Sequence, residues 1–170
     1  MELNNNIVSL RAVEPTDLDF LFILESAEGT ADYGFSTGPV SRQLIWEYID
    51  SYNADIYAAK QLRLVITAAG IAVGAIDISD FDARHRRGFV GVVVDEKYRR
   101  RGYAGRALQL LCDYARNTLA MKQLVAIAAV DNEASLKLFS SAGFKQTATL
   151  KEWLCRGGEY ADAILLQKLL

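Results

Sequence analysis

A change of rhythm at the centre of the chain constrains its fold more than any other feature. Phe89-Val90-Gly91-Val92-Val93-Val94 is an unbroken apolar run of strand length, and the basic turn Arg99-Arg100-Arg101-Gly102 follows it closely. Such a run predicts a strand buried on both faces. From residue 102 to 119 the period becomes helical, with Leu108, Leu111, Cys112, Ala115 and Leu119 on one face. Upstream, the strand Leu62 to Ile66 turns at Ala69-Gly70 and returns over Ile71 to Ile78. A second polar turn, Ser79 to Arg87, leads into the apolar run. Downstream come a strand over 123–130, a short helix over 132–142 stopped by Gly143, and strands over 144–154 and 159–166 joined at Arg156-Gly157-Gly158. Helix, strand, helix, strand in that order predicts an α/β unit with a parallel pair.

The N-terminal third reads as a strand over Ile7 to Arg11, then a helix capped by Thr16 that carries Leu18, Leu21, Phe22 and Leu24. A Gly-, Ser- and Thr-rich loop over residues 28–39 follows. Ser41 then caps a second helix bearing Leu44, Ile45, Tyr48, Ile49 and Tyr52. With 170 residues, 51% hydrophobic and 24% charged, the expected organisation is one soluble domain spanning 1–170. No apolar run approaches the ~20 residues of a membrane helix. The start, Met1-Glu2-Leu3-Asn4-Asn5-Asn6, is neither basic nor apolar, so a cytoplasmic location is expected.

Residue counts exclude much chemistry. The lone histidine, His85, rules out metal sites built on several histidines and leaves only itself for a Ser-His-Asp or Cys-His mechanism. Cys112 and Cys155 cannot supply a disulfide framework or a four-ligand zinc site, and no metal is expected. A net charge of −2 argues against a dedicated nucleic-acid binder.

The basic turn carries the chemistry. A helix N-terminus presents amides without internal partners, and its dipole adds positive charge. Gly102 and Ala104 leave room for a phosphate, while Arg99, Arg100, Arg101 and Arg106 surround the point with permanent charge. That arrangement suits a diphosphate. Spacing alone equally allows an ordinary solvated basic loop, because neither G-x-x-x-x-G-K-S/T nor a G-x-G-x-x-G after the first strand is present.

Arg99-Arg100-Arg101-Gly102-Tyr103-Ala104 resembles the Q/R-x-x-G-x-G/A loop of GNAT-type N-acetyltransferases. Asn132-Glu133-Ala134-Ser135 through Ala142-Gly143-Phe144 is similar to that family's N-x-x-S…G-F segment. Ser9-Leu10-Arg11 to Asp17, His85-Arg86-Arg87 and Gly157-Gly158-Glu159-Tyr160-Ala161-Asp162 resemble the branch containing spermidine and ribosomal-protein N-terminal acetyltransferases. The resemblance implies a mixed α/β (α+β) domain. Its central sheet would be mostly antiparallel, of about seven strands with a parallel pair splayed in the middle, flanked by about four helices.

It also implies acetyl transfer from acetyl-coenzyme A to a primary amine of a small molecule or a protein N-terminus. The main chain of Val92, Val93 and Val94 would pair with the pantetheine arm like an added strand. Arg99, Arg100, Arg101, Gly102, Tyr103 and Ala104 would hold the pyrophosphate. Asn132 and Ser135 would meet the reactive end, although Asn132 is equally a good helix N-cap. Tyr33 and Phe35 would border the acceptor pocket, and Asp77 would reach it. Self-association into a homo-oligomer is compatible with the family, and neither nucleic acid nor membrane is an expected partner.

Two departures stand out. Phe139 occupies the position from which relatives protonate the leaving thiolate, and Phe89 replaces a glutamate of the branch pattern A-E-I-G-Y. General acid and base are therefore unassigned, with Asp77, Ser79, His85 and Ser135 as the remaining helpers. Ser36-Thr37, with only Asp32 nearby, stands where polyamine enzymes place acids, which disfavours a polyamine acceptor. Two other classes compete: a coenzyme-binding module with little or no turnover, and a nucleic-acid binder using Arg84, Arg86, Arg87 and Arg99 to Arg101.

Overall fold

A computed structural model describes residues 3–4, 7–27 and 39–170. Its elements, in chain order, begin with strands β1 (Leu3–Asn4) and β2 (Ser9–Ala12), a 3-10 turn over Pro15–Asp17, and helices α1 (Leu18–Ser26), α2 (Arg42–Asp50) and α3 (Ile56–Ala59). Strands β3 (Leu62–Ala68), β4 (Ile71–Asp82) and β5 (Arg87–Val94) form the central meander. A 3-10 turn over Glu96–Tyr98, helix α4 (Tyr103–Asn117), β6 (Gln123–Ala129), α5 (Glu133–Ser141), β7 (Lys145–Arg156) and β8 (Glu159–Leu169) complete the fold.

The strands make one sheet in the order β1-β2-β3-β4-β5-β6-β8-β7. Every pairing is antiparallel except β5 with β6. That parallel ladder covers only Arg87↔Gln123, Gly88↔Leu124 and Phe89↔Val125. Beyond Phe89 the two strands part, while β5 stays paired to β4 as far as Gly74↔Val94. The mixed α/β architecture with a splayed parallel pair is thus present.

Alternation along the strands assigns the two faces. Ile66, Ile76, Ile78 and Val90 point to α4, whose Ala107, Leu108, Leu111, Cys112 and Ala115 are buried at helical spacing. On the opposite face, Ala75 packs under Leu21 and Leu24 of α1 and Ile45 and Ile49 of α2. Each apolar side chain withdrawn from water stabilises the fold by roughly 1.5–3 kcal/mol before conformational entropy is charged against it.

Several local readings need correction. Thr16 caps nothing: Glu14 accepts from the Asp17 N–H, and Asp17 Oδ2 accepts from Glu14 N at 2.8 Å, forming a capping box. Asp17 also takes both guanidinium nitrogens of Arg11 at 2.7 Å, which makes it more valuable than an exposed threonine hydroxyl. The expected turn at Ser79 begins later, because β4 continues to Asp82 and pairs with Arg87. Helix α3 has no strong periodic signal; Asp55 caps its single turn through Tyr57 N at 2.9 Å. Leu44 is exposed on α2, where Ile45 and Ile49 are buried in the core and Tyr48 packs half-buried against it. Ser41 does cap α2, accepting from Leu44 N at 3.1 Å.

The most consequential correction concerns β5. It is not buried on both faces: Phe89 retains 37% of its accessible surface, Gly91 is exposed, and Val92 and Val93 are half-buried. One side of the run, Val90 and Val94, belongs to the core under α4, while the other, at Phe89 and Gly91, faces an opening.

Candidate active site

The opening follows from the splay. Past Phe89, one edge of β5 has no β6 ladder partner, so the main-chain groups of Gly91 to Val94 on that side can accept an extended ligand as an extra strand. A Cβ built at Gly91 would meet nothing within 4 Å, so the face of β5 on that side is also open at this point. Val93 also faces a neighbouring cavity of about 480 Å³, lined by Phe22, Ile23, Leu24, Ser26 and Ala27 of the α1 end, the Asp95 to Lys97 turn, and Arg99.

At the end of β5 the chain curls into the basic loop. Asp95 caps the 3-10 turn through Lys97 N at 3.1 Å. Arg99 Nε donates to Val94 O at 3.0 Å, tying the loop to the strand end. Arg101 folds over the Tyr98 ring, 5.6 Å from its centroid. Arg100 and Gly102 adopt left-handed backbone, φ 62° and 77°. Gly102 is the N-cap of α4 with no side-chain cap, and a Cβ there would meet nothing within 4 Å. The first helical bond of α4 is Arg106 N to Gly102 O at 3.3 Å. The amides of Tyr103, Ala104 and Gly105 therefore point outward without helical acceptors. An open cradle, three outward amides, the N-terminal end of a 15-residue helix dipole and flanking arginines suit a diphosphate. The residues fit a coenzyme A pyrophosphate with its pantetheine along β5.

On the other wall of the cleft, Asn132 is the N-cap of α5 and its Oδ1 accepts from Ser135 N at 3.0 Å. The capping role of Asn132 is thus real, and both residues remain half-buried. Phe139 is buried, 5% exposed, with its ring edge-on to Phe144 at 5.2 Å. Its side chain is accounted for by packing.

Asp77 stands directly opposite Gly91 on β4, and its other cross-strand neighbour is Arg63 of β3. Opposed residues of an antiparallel pair project to the same face, so Arg63, Asp77 and the open position at Gly91 form a row under α1 and α2. Asp77 keeps 30% of its side-chain surface, and its Oδ1 lies 3.4 Å from Arg63 Nε. Withdrawal from water pushes its carboxyl up to about 6; Arg63 opposes the shift and Glu25 adds to it. Phe89 projects to the same face two residues from Gly91, where the branch pattern has its carboxylate. Burial also raises Tyr48 above its ordinary value. Ser79 is half-buried, and His85 is exposed on the distant β4–β5 turn, with its N–H bonded to Asp82 Oδ1 at 2.9 Å. Tyr33, Phe35, Asp32, Ser36 and Thr37 lie outside the described residues.

The sequence reading missed Glu25 and Arg63. A signal existed: Arg63 is a charge inside the apolar strand Leu62 to Ala68, and such a residue demands a buried partner. The partner, Glu25, comes from α1, which no spacing rule connects to β3.

A splayed parallel pair with an open, amide-lined helix N-terminus at its mouth is the layout of an acyl-coenzyme A-dependent transferase. The model of the acetyltransferase (GNAT) domain matches residues 8–145, and the chain belongs to that family. It is 26% identical over 157 residues to spermidine N(1)-acetyltransferase of Escherichia coli K12, covering 92% of this chain and 83% of the relative. A crystal structure of spermidine N-acetyltransferase from Vibrio cholerae with CoA and spermine superposes with TM-score 0.85 at 24% identity, covering 97% of this chain and 96% of that one. The ribosomal-protein alpha-N-acetyltransferase RimL in complex with coenzyme A gives TM-score 0.86 at 17% identity, covering 100% and 98%. The chain is accordingly an acetyl-coenzyme A-dependent N-acetyltransferase. No described helix is long and apolar enough to cross a membrane.

Proposed function

We propose that the whole chain, 1–170, acts as one catalytic unit. It would acetylate a primary amine borne on an apolar body, a small molecule or a protein N-terminus, in the cytoplasm. The observation that carries this reading is the half-buried Asp77 beside the open position at Gly91, with Phe89 as its exposed neighbour. One carboxylate suits one ammonium group, and an aromatic ring in place of a second carboxylate suits an apolar substituent better than a polycation.

Acetyl-coenzyme A, when bound, supplies a thioester carbonyl and a thiol leaving group. Val92, Val93 and Val94 would hold the pantetheine through their main chain, and Arg99 to Ala104 the pyrophosphate, with Asn132 and Ser135 beside the reactive end. Asp77, ionised above about pH 6, would attract the ammonium and orient it towards the cleft. Once one proton has passed to solvent, the amine nitrogen would attack the carbonyl carbon and shed its second proton to solvent as the carbon–sulfur bond breaks. A thiol of reference pKa ~8.5 leaves as a tolerable thiolate. Much of the rate can come from alignment, which agrees with a Phe139 that has no proton to give. The Ser135 hydroxyl is the protic side chain left on that wall.

The test is a thermal-shift titration with acetyl-coenzyme A, followed by thiol release over spermidine, amino-acid amides and a peptide with a free N-terminal serine. Expected are stabilisation by the coenzyme and faster release with the amino-acid amides and the peptide than with spermidine. Stabilisation without release from any amine would favour the module without turnover. Efficient spermidine acetylation would refute the acceptor assignment.

A further inference from the structure

Beneath α1 and α2 lies a buried ion pair that neither coenzyme binding nor acetyl transfer uses directly. The Arg63 guanidinium donates through Nη2 to Glu25 Oε1, with side chains 5% and 4% exposed. Taking two full charges out of water is expensive, and an apolar pair of similar size is often as stable or more so. A site retaining such a pair invites a reason beyond stability.

The geometry supplies one. The same guanidinium lies beside the Asp77 carboxylate, Nε to Oδ1 3.4 Å, an ion-pair contact rather than a hydrogen bond, so one planar cation sits between α1 and the carboxylate at the cleft. Its backbone is fixed as well. The β2–β3 ladder ends at Ala12↔Leu64, and beyond it the hydroxyl of Tyr52, just past the end of α2, takes the place of a neighbouring strand. That hydroxyl accepts from Arg63 N at 2.8 Å and donates to Arg63 O at 3.0 Å. Tyr48 places its ring 5.9 Å from the guanidinium. Among the described residues, the titratable groups facing Asp77 are therefore Glu25 from α1, Tyr48 from α2, Tyr52 from the segment after α2, and Arg63 from β3. On β5 its neighbour is Gly91, which carries none.

We infer that Glu25 and Arg63 are positioning residues that hold the Asp77 carboxylate at the acceptor cleft and set the pH at which it becomes charged. The inference rests on the acceptor role of Asp77 proposed above. Arg63 favours the charged carboxylate and Glu25 opposes it, so the pair tunes Asp77 in both directions. A purely structural pair would change stability and leave that titration alone.

The experiment uses the full chain and three variants: Glu25→Gln, the apolar double replacement Glu25→Leu with Arg63→Met, and Asp77→Asn. The Asp77 side-chain carboxyl is followed by carbon NMR between pH 4 and 8. The pH profile of kcat/KM is measured with the amine that releases thiol fastest in the panel above, and cooperative melting checks folding. Removing the opposing Glu25 charge should move the Asp77 midpoint, and the acidic limb of the profile, to lower pH. Removing both charges takes away the larger Arg63 effect and should move both to higher pH. Asp77→Asn should abolish that limb and lower kcat/KM about tenfold or more. Opposite shifts in the two folded variants support the inference. Unmoved midpoints and limbs, with only melting temperatures altered, overturn it while leaving the role of Asp77 standing. An Asp77→Asn enzyme with unchanged rate and limb overturns the acceptor role itself, and the inference with it.

Discussion

Asp77 should make this protein's stability depend on pH, and replacing it by asparagine should remove that dependence. Its carboxyl is raised from 3.8 to about 6 by loss of hydration, only partly offset by Arg63. A group whose folded pKa lies above its unfolded value binds its proton more tightly in the folded state. Its stabilising contribution is present below about pH 4 and is lost as pH rises through 6. A gap of about two units, at 1.36 kcal/mol each, gives at most about 3 kcal/mol. Solvent on the 30% of the side chain that stays exposed trims that figure. Asparagine is nearly isosteric and never ionises, so the two proteins should be similarly stable at pH 4 and diverge above it. By pH 7.5 Asp77→Asn should be the more stable by about 2–3 kcal/mol, or roughly 4–12 °C in Tm for a chain of this size. Urea and thermal melts of both proteins from pH 4 to 8 measure the difference, in which the other carboxylates cancel. A stability difference that stays flat across this range, or one that falls with pH, would refute the reasoning.

Three further outcomes are expected. Gly102→Glu places a charge in the open cradle at a left-handed position (φ 77°). Isothermal titration should show acetyl-coenzyme A binding abolished while the fold survives at a cost of about 1–2 kcal/mol; retained affinity in a folded variant would put the ligand elsewhere. Phe89→Glu adds a carboxylate to an exposed position on the face of Asp77, so kcat/KM for spermidine should rise about tenfold or more; no rise would mean the cation does not approach that face. Phe139→Tyr buries a hydroxyl in a ring pair, so Tm should drop by several degrees, about 1–3 kcal/mol, with coenzyme binding intact; unchanged stability with a faster kcat would show that the hydroxyl reaches the leaving thiolate.

Local signals carried the elements and the basic loop before α4. The apolar run at 89–94, the glycine before an amphipathic helix and the Asn132 cap are decided within a few residues of chain, where periodicity and unsatisfied amides act. Arg99 to Ala104 could therefore be read as a basic turn opening a helix, and the resemblance rather than the spacing pointed it towards a pyrophosphate. The acceptor side could not. That β5 opens on one face, so that Phe89 and Gly91 line a cleft instead of a core, depends on where the β5–β6 ladder stops. The burial of Phe139 against Phe144 is likewise a matter of packing. Glu25 and Arg63 are 38 residues apart in sequence, and Asp77, which only the resemblance singled out, is by spacing indistinguishable from a surface carboxylate. Coulomb and desolvation energies act through space and vary with local dielectric. A carboxylate poised near neutrality beside a buried ion pair therefore exists only once α1, β3 and β4 have been brought together.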